Sequence, residues 1–111
     1  MLVIAVSYDV ESLNLRIRAL EQAGNAVIPA SSFESCMNAL FTSFHLLIIG
    51  ASVPHQDRQK LARESRKVRP TAQIISVEWP DSPALDAMDA RIPAGDEKLL
   101  LETVKRIQYG R

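Results

Sequence analysis

The chain has 111 residues, of which 47% are hydrophobic and 23% are charged, and its 13 Lys plus Arg balance its 13 Asp plus Glu. This length suits one domain and is too short for two, and a neutral chain has no global field that would attract nucleic acid or an anionic membrane. No apolar run reaches the length of a membrane-spanning helix, and residues 1–8 lack the basic and apolar regions of a secretory signal, so we expect neither. The lone Cys36 cannot form an internal disulfide and fits a reducing compartment, which predicts a cytoplasmic domain.

The first part of the chain predicts a strand, a helix and a second strand. Residues 2–6 (LVIAV) are short and apolar, which is typical of a buried strand. Apolar residues then recur at helical spacing from Asp9 until Gly24, where a helix would end. Residues 26–30 (AVIPA) predict a second strand, and Pro29, which has no backbone N–H, indicates the edge of a sheet.

The middle of the chain predicts two further helices around a central strand. Ser31 and Glu34 have the spacing of a capping box, which predicts a helix start beside them. Residues 45–50 (HLLIIG) are the most continuously apolar segment, as expected of a central parallel strand that is covered on both faces. Pro54 opens the next turn, and a third helix should stop before Pro70.

The last part of the chain predicts two strands and two helices. Residues 72–77 (AQIISV) have the composition of a strand. Asp81 is a candidate N-cap, which predicts a short helix over residues 81–88. Residues 90–92 predict a brief fifth strand, and the helical spacing of the apolar residues that follow predicts a closing helix.

Strands and helices that alternate five times indicate a three-layer α/β domain with a parallel five-stranded sheet. The expected topology is flavodoxin-like (βα)5 with strand order 2-1-3-4-5 and a short or irregular fourth helix. Ligands of such sheets bind beyond the carboxyl ends of strands one and three. The residues at those ends are Ser7, Tyr8, Asp9 and Gly50.

The order of these elements, with several residues at the strand ends, resembles the response-regulator receiver domain of two-component signal transduction over essentially the whole chain. The family ends its first strand with acidic residues, of which Asp9 is kept. After the third strand the family has a loop with proline and then aspartate-glycine, and this chain has Pro54 and Asp57 at that spacing. Pro93 matches the proline of the Lys-Pro pair that ends the family's fifth strand.

The resemblance also marks where this chain departs from the family. Gly50 stands at the phosphoacceptor aspartate, Ile92 at the lysine, and Arg58 at the glycine of the loop. The Thr or Ser that ends the family's fourth strand corresponds to Glu78, or in another register to Ser76. The resemblance therefore implies a degenerate phosphorylation site at Ser7, Tyr8, Asp9, Gly50, Glu78 and Ile92.

The chemistry of phosphoryl transfer explains why these departures matter. Transfer to a carboxylate requires a nucleophilic oxygen, a divalent metal and a cation on the phosphoryl oxygens. Gly50 supplies no oxygen and Ile92 supplies no cation, while Asp9 is one carboxylate where Mg²⁺ prefers several hard oxygen ligands. A Glu78 side chain that points inward would add negative charge and repel phosphate. We therefore expect no enzyme activity, no catalytic residue, no metal and no cofactor.

Two functions from different classes remain open. The first is a non-phosphorylatable pseudo-receiver spanning residues 1–111, either by itself or as a domain excised from a longer regulator. It would act through contacts with a protein partner or output domain. The alternative is a sensor that binds a small molecule or nucleotide at the ends of strands one and three, with Ser7, Tyr8, Asp9 and Glu78 as its polar groups. A phosphotransfer enzyme that uses Cys36 or His55 is less well supported, because neither residue has a visible base.

Surface positions give further candidates for interaction. Leu15 and Leu101 lie off the main apolar stripes and give weak support to a homodimer. Trp79 is either a partner anchor or a side chain that packs over the end of the sheet.

Structural roles compete with functional ones at other positions. Asp9 fits a helix cap better than a metal site, and Cys36 fits a buried structural thiol. The third helix carries a set of basic residues. A solvated face explains them better than a binding surface does. Arg63 and Arg66 are nevertheless candidate contacts for an acidic partner. The set is Arg58, Lys60, Arg63, Arg66, Lys67 and Arg69. No aromatic residues interleave with these charges, which argues against nucleic-acid binding.

Overall fold

The computed structural model describes residues 1–110, which form five strands and four helices. The strands are β1 (Leu2–Val6), β2 (Ala26–Ala30), β3 (Leu46–Ile49), β4 (Gln73–Glu78) and β5 (Ala90–Pro93). The helices are α1 (Val10–Gln22), α2 (Phe33–Ala39), α3 (His55–Val68) and α4 (Glu97–Tyr109). Within this described part of the chain, no helix is long and apolar enough to cross a membrane.

The strands form one parallel sheet in the order β2-β1-β3-β4-β5, as the sequence predicts. The strand β3 is buried along its whole length, because it lies in the middle of the sheet and is covered on both faces. The strand β2 lies at one edge, where the missing N–H of Pro29 costs no hydrogen bond within the sheet.

Alternate side chains of the central strands point to opposite faces of the sheet and pack into two hydrophobic cores, one on each face. Ile4 and Leu47 point into the core beneath α2 and α3, which also contains Cys36 and Leu61. The neighbouring side chains on the same strands point into the core beneath α1 and α4. That second core includes Val3, Ala5, Leu13, Leu20, Leu46, Ile48, Leu100 and Val104. The predicted three-layer α/β architecture is therefore confirmed.

The connection between β4 and β5 differs from the prediction. The short helix expected over residues 81–88 is wrong, since this segment runs through turns and irregular backbone. Eight residues are too few to form a stable helix without a broad apolar face, and Leu85 alone among them is fully buried. Arg66 on α3 instead holds the segment, because it donates to the Ala87 carbonyl at 3.0 Å and to the Asp89 carboxylate at 2.9 Å.

Two predicted helix caps also differ in detail. The capping box of α2 is formed by Ser32 and Ser35, whose hydroxyl groups each accept the other residue's backbone N–H at 3.1 Å, and not by Ser31 and Glu34. Asp9 does occupy the N-cap position of α1, but its carboxylate makes no hydrogen bond to the backbone N–H groups of the first turn. Asp9 therefore stands at the predicted N-cap position, but its side chain does not form the predicted cap.

Candidate functional site

A cleft of about 280 Å³ opens where the carboxyl ends of β1 and β3 meet the first turns of α1 and α4. We call it the sheet-end cleft. Its walls include Ser7, Asp9, Ser12, Arg16, Trp79 and Glu97. The structure thus brings together three residues that the sequence singled out, and adds Ser12, Arg16 and Glu97, which sequence reasoning missed.

Gly50 follows β3 beside this cleft and is packed too tightly to carry a side chain. A Cβ on Gly50 would lie 2.9 Å from the backbone oxygen of Val6, 3.1 Å from the Cβ of Ser7 and 3.3 Å from Nη1 of Arg16. Real Cβ atoms do not approach backbone oxygen so closely, so a larger residue requires local movement. The backbone of Gly50 is also held in place, because its N–H donates to the Val6 carbonyl at 2.8 Å.

The loops that follow β1 and β3 are joined by one hydroxyl group. Ser52 Oγ accepts the backbone N–H of Tyr8 at 2.9 Å and that of Asp9 at 3.2 Å, and it lies 3.0 Å from Ser7 Oγ. These contacts tie the two loops together at the surface, where the chain leaves β1 and β3. The hydroxyl groups at this point therefore fix the shape of the cleft.

Tyr8 turns away from the cleft and binds the start of α3. Its hydroxyl donates to the Asp57 carboxylate at 2.9 Å, and its ring packs against the core beneath α2 and α3. Burial raises the pKa of Tyr8, and the hydrogen bond and negative charge of Asp57 raise this pKa further. Asp57 lies in the first turn of α3, and its partner is Tyr8.

Arg58 corrects the prediction that the basic residues of α3 form one solvated face. Its side chain is 6% exposed and runs under the end of the sheet. The guanidinium donates to the Gly50 carbonyl, to the Ser76 hydroxyl and, at 2.9 Å, to the Val77 carbonyl. Burial lowers the pKa of Arg58, and the charge of Glu78, whose carboxylate lies 4.0 Å away, opposes that shift.

Glu78 points inward, but its charge is neutralised by its neighbours. The carboxylate accepts the Ser76 hydroxyl at 2.7 Å and Nε of Arg91 at 2.7 Å, and Nη2 of Arg91 lies 2.6 Å from it. The side chain is only 5% exposed, so these are bonds to a buried charge. Glu78 therefore anchors two arginines, which differs from the free repulsive charge that the sequence suggested.

The other predicted positions are distributed over the surface and the core. Ile92 is buried in the core beneath α1 and α4, and Trp79 is 56% exposed at the rim of the cleft. Arg63 is exposed and reaches Asp86 at 3.5 Å. Arg66 is occupied by the hydrogen bonds that hold the β4–β5 connection.

Arg16 is the buried charge that sequence reasoning overlooked. It is 6% exposed on α1, where its Nη2 lies 2.7 Å from Glu97 of α4. The available signal was its position, because Arg16 lies between Leu13 and Leu20 on the apolar stripe of the helix, where a charge is out of place. Its partner, 81 residues away in sequence, gave no such signal.

The comparisons with known proteins identify the fold as that of receiver domains. No protein-family model matches the chain, and no curated protein matches it in sequence. Solved structures do match over nearly the whole chain. The response regulator TrrA from Thermotoga maritima, solved in complex with Mg²⁺-BeF, superposes with a TM-score of 0.83 at 21% identity and covers 96% of this chain and 97% of its own.

Two further receiver structures give the same result. A CheY-like response regulator receiver domain from Methanospirillum hungatei has a TM-score of 0.78 at 20% identity, with 96% of this chain and 93% of that chain covered. A two-component response regulator from Clostridium difficile has a TM-score of 0.83 at 17% identity, with 97% and 95% covered. The predicted resemblance to receiver domains is thus confirmed at the level of the fold.

The residues of this chain do not fit a Mg²⁺ ion such as the one in the TrrA complex. Mg²⁺ needs an octahedron of hard oxygen ligands, normally with more than one carboxylate. The cleft contains Asp9, which accepts the Ser12 hydroxyl at 2.7 Å, and Glu97, which is paired with Arg16. The buried guanidinium of Arg58 adds a second positive charge beside Gly50. In the described residues, no cluster of three His, Cys, Asp or Glu side chains is placed to hold a metal.

Proposed function

We propose that this chain is a receiver-type signalling domain that works by protein contact, without phosphoryl transfer at Gly50. The observation that carries the proposal is the packing of Gly50, where a carbonyl oxygen and Arg16 occupy the space that a side chain would need. The receiver fold supports a signalling role, and the missing carboxylate excludes the usual acceptor chemistry at this position.

The charges around Gly50 support the same conclusion. A receiver that is phosphorylated binds a divalent metal ion and an anionic phosphoryl group at the end of its third strand. Here the guanidinium of Arg58 is bonded to the carbonyl of Gly50 and to the Ser76 hydroxyl. A fixed internal cation of this kind links the ends of β3 and β4 permanently, so their relative position does not depend on phosphorylation.

A non-enzymatic role also fits the reactive side chains. Cys36 is fully buried in the core beneath α2 and α3, and burial raises its pKa to about 12. The thiolate that a nucleophile requires is therefore scarce at neutral pH. His55 is the first residue of α3, and no described hydrogen bond gives its side chain a base or an orienting partner.

The partner in this proposal is another protein or an output domain in the cytoplasm. Trp79 is the strongest candidate contact, because it is the single tryptophan of the chain and is 56% exposed. Arg63 is a second candidate, whereas the side chain of Arg66 is already engaged. A homodimer is less well supported, because only Leu15 is exposed, at 67%, whereas Leu101 is partly buried against the core beneath α1 and α4.

Incubation with acetyl phosphate and Mg²⁺, followed by intact-mass measurement, tests the absence of phosphoryl transfer. We expect no phosphoryl increment, and the positive control is the response regulator from Burkholderia pseudomallei whose solved structure carries a phosphorylated aspartic acid. An increment that survives neutral pH and is removed by hydroxylamine, which is the behaviour of an acyl phosphate, would refute the proposal. Partner contact is tested by comparing the proteins recovered with the wild-type domain and with Trp79→Ala, with Phe41→Ala, a surface aromatic that is 85% exposed, as the matched control.

A second candidate function, the sensing of a small molecule, is favoured by the cleft itself. The sheet-end cleft has a volume of about 280 Å³ and lies where flavodoxin-like sheets bind ligands. Thermal-shift measurements with nucleotides, flavins and cyclic dinucleotides would test it, and the absence of any shift at physiological concentrations would argue against a sensor.

A further inference from the structure

The buried charges of this domain are concentrated at the end of the sheet and are unbalanced. In the part of the chain that the structure describes, the charged residues that are more than nine-tenths buried are Arg16, Arg58 and Glu78. Two of these are cations and one is an anion. Burying a charge is expensive unless it is paired. Glu78 is shared by Arg58 and Arg91, whereas Arg16 is paired with Glu97, which is 51% exposed and reaches in from the rim of the cleft.

The guanidinium of Arg16 is only partly used by this pairing. Its Nη2 lies 2.7 Å from Oε1 of Glu97, and its Nε lies 3.5 Å from Oε2. The third nitrogen, Nη1, has no hydrogen-bond partner among residues 1–110, and it lies 3.3 Å from the place where a Cβ of Gly50 would be. Departure of the Glu97 carboxylate would free Nε and Nη2 as well, and the planar guanidinium beside an open cleft would then be suited to bind an oxyanion with two oxygens.

We propose that the sheet-end cleft binds a small oxyanion non-covalently at Arg16, in exchange for the carboxylate of Glu97. The bound group is a carboxylate or a phosphate, which share the geometry that a guanidinium recognises. Glu97 acts as an internal competitor, because it is at the surface and can swing into solvent when a ligand replaces it. The inference rests on the second candidate function, ligand binding in the cleft, and does not depend on the signalling proposal.

The walls of the cleft fit this ligand in other respects. The hydroxyl groups of Ser7 and Ser12 line it and would have to turn away from Asp9, to which each now donates its one proton, in order to donate to an anion. The indole of Trp79 at the rim offers a flat apolar surface for the rest of the molecule. Asp9 also lines the cleft and opposes an anion, although its carboxylate is exposed to solvent and accepts the Ser12 hydroxyl. The ligand is therefore small, with its charge at the Arg16 end and away from Asp9.

The intrinsic fluorescence of Trp79 provides the test, since this is the single tryptophan and it lies at the cleft. Titration of the whole chain with inorganic phosphate and, separately, with acetate at constant ionic strength should give a saturable change for at least one of them. The anion that binds more tightly identifies the chemistry. Arg16→Gln should weaken binding about ten-fold or more, the loss expected for a charged hydrogen bond.

Glu97→Gln gives the more telling result, because it removes the competitor and keeps the binding group. It should tighten binding up to about five-fold, the value of a half-exposed ion pair. Arg18→Gln on α1 and Glu102→Gln on α4 are matched controls on exposed positions, and both should bind like the wild type. Circular dichroism establishes whether each variant is folded. If Arg16→Gln does not fold, the binding measured with Glu97→Gln still tests the inference.

Two results would overturn the inference. One is the absence of saturable binding of either anion by both the wild type and Glu97→Gln. The other is unchanged binding by folded Arg16→Gln. Saturable binding of uncharged adenosine or riboflavin, with both anions inactive, would leave the sensor function standing while it removes the oxyanion site.

Discussion

Replacement of Arg58 by methionine should be the most damaging change near the functional site. The guanidinium is 6% exposed and donates to Gly50, Ser76 and Val77, with the Glu78 carboxylate 4.0 Å away. Removing one member of a buried ion pair costs about 3–5 kcal/mol, because the other charge is left behind. Since Glu78 keeps its bonds to Ser76 and Arg91, we expect the lower end of that range, about 3 kcal/mol of unfolding free energy.

Urea denaturation followed by circular dichroism measures this loss. With a slope of about 1.5 kcal/mol per molar urea, the midpoint should fall by about 2 M. Arg63→Met is the matched control on the same helix, since its side chain is 63% exposed, and it should change the unfolding free energy by less than about 0.5 kcal/mol. A loss below about 1 kcal/mol for Arg58→Met, or an equal loss for both variants, would show that the buried guanidinium does not hold the ends of β3 and β4.

Three further predictions concern the surroundings of the site. Gly50→Ala should destabilise the domain by about 1–3 kcal/mol in the same urea assay, because the new Cβ meets the Val6 oxygen at 2.9 Å; an equal or higher midpoint would contradict this packing. Burial raises the pKa of Cys36 from 9.0 to about 12, so the stability from the neutral thiol is complete below pH 9 and is lost as the pH rises toward 12. Ellman's reagent at pH 8 should therefore react with the native protein about 100-fold more slowly than in urea, and equal rates would contradict burial. Asp89→Ala should weaken the hydrogen-exchange protection of the Ile74 amide, which donates to the Asp89 carboxylate at 2.7 Å, and unchanged protection would contradict this contact.

The fold could be predicted from the sequence because the composition of each strand agrees with its position in the sheet. The apolar run of β3 and the edge proline of β2 each indicate a position in the sheet, and the structure confirms both. The segment between β4 and β5 was predicted wrongly, since its polar pattern resembles a capped helix while its structure depends on bonds from Arg66 on another element. Local spacing carries no information about such contacts.

The candidate site was only partly accessible for a similar reason. The missing carboxylate at Gly50 can be read directly from the sequence, but the residues that fill its surroundings cannot. Arg58 was assigned to a solvated face because four other basic residues share its helix and Arg69 follows the helix end, and Arg16 was overlooked although it interrupts an apolar stripe. A charged residue on the apolar stripe of a helix indicates a buried, paired charge. Identifying its partner requires the three-dimensional structure.

The packing around Gly50 would oppose the introduction of an acceptor side chain at this position. A single substitution that reintroduced aspartate would bring its Cβ against the Val6 oxygen and the Arg16 guanidinium, with Arg58 already bonded to the same backbone. Recovery of the chemistry would need coordinated changes at several positions, and the intermediates would be less stable than either end point. On the proposed function, such a domain would be insulated from the kinases that phosphorylate receivers, which would suit it to synthetic signalling circuits.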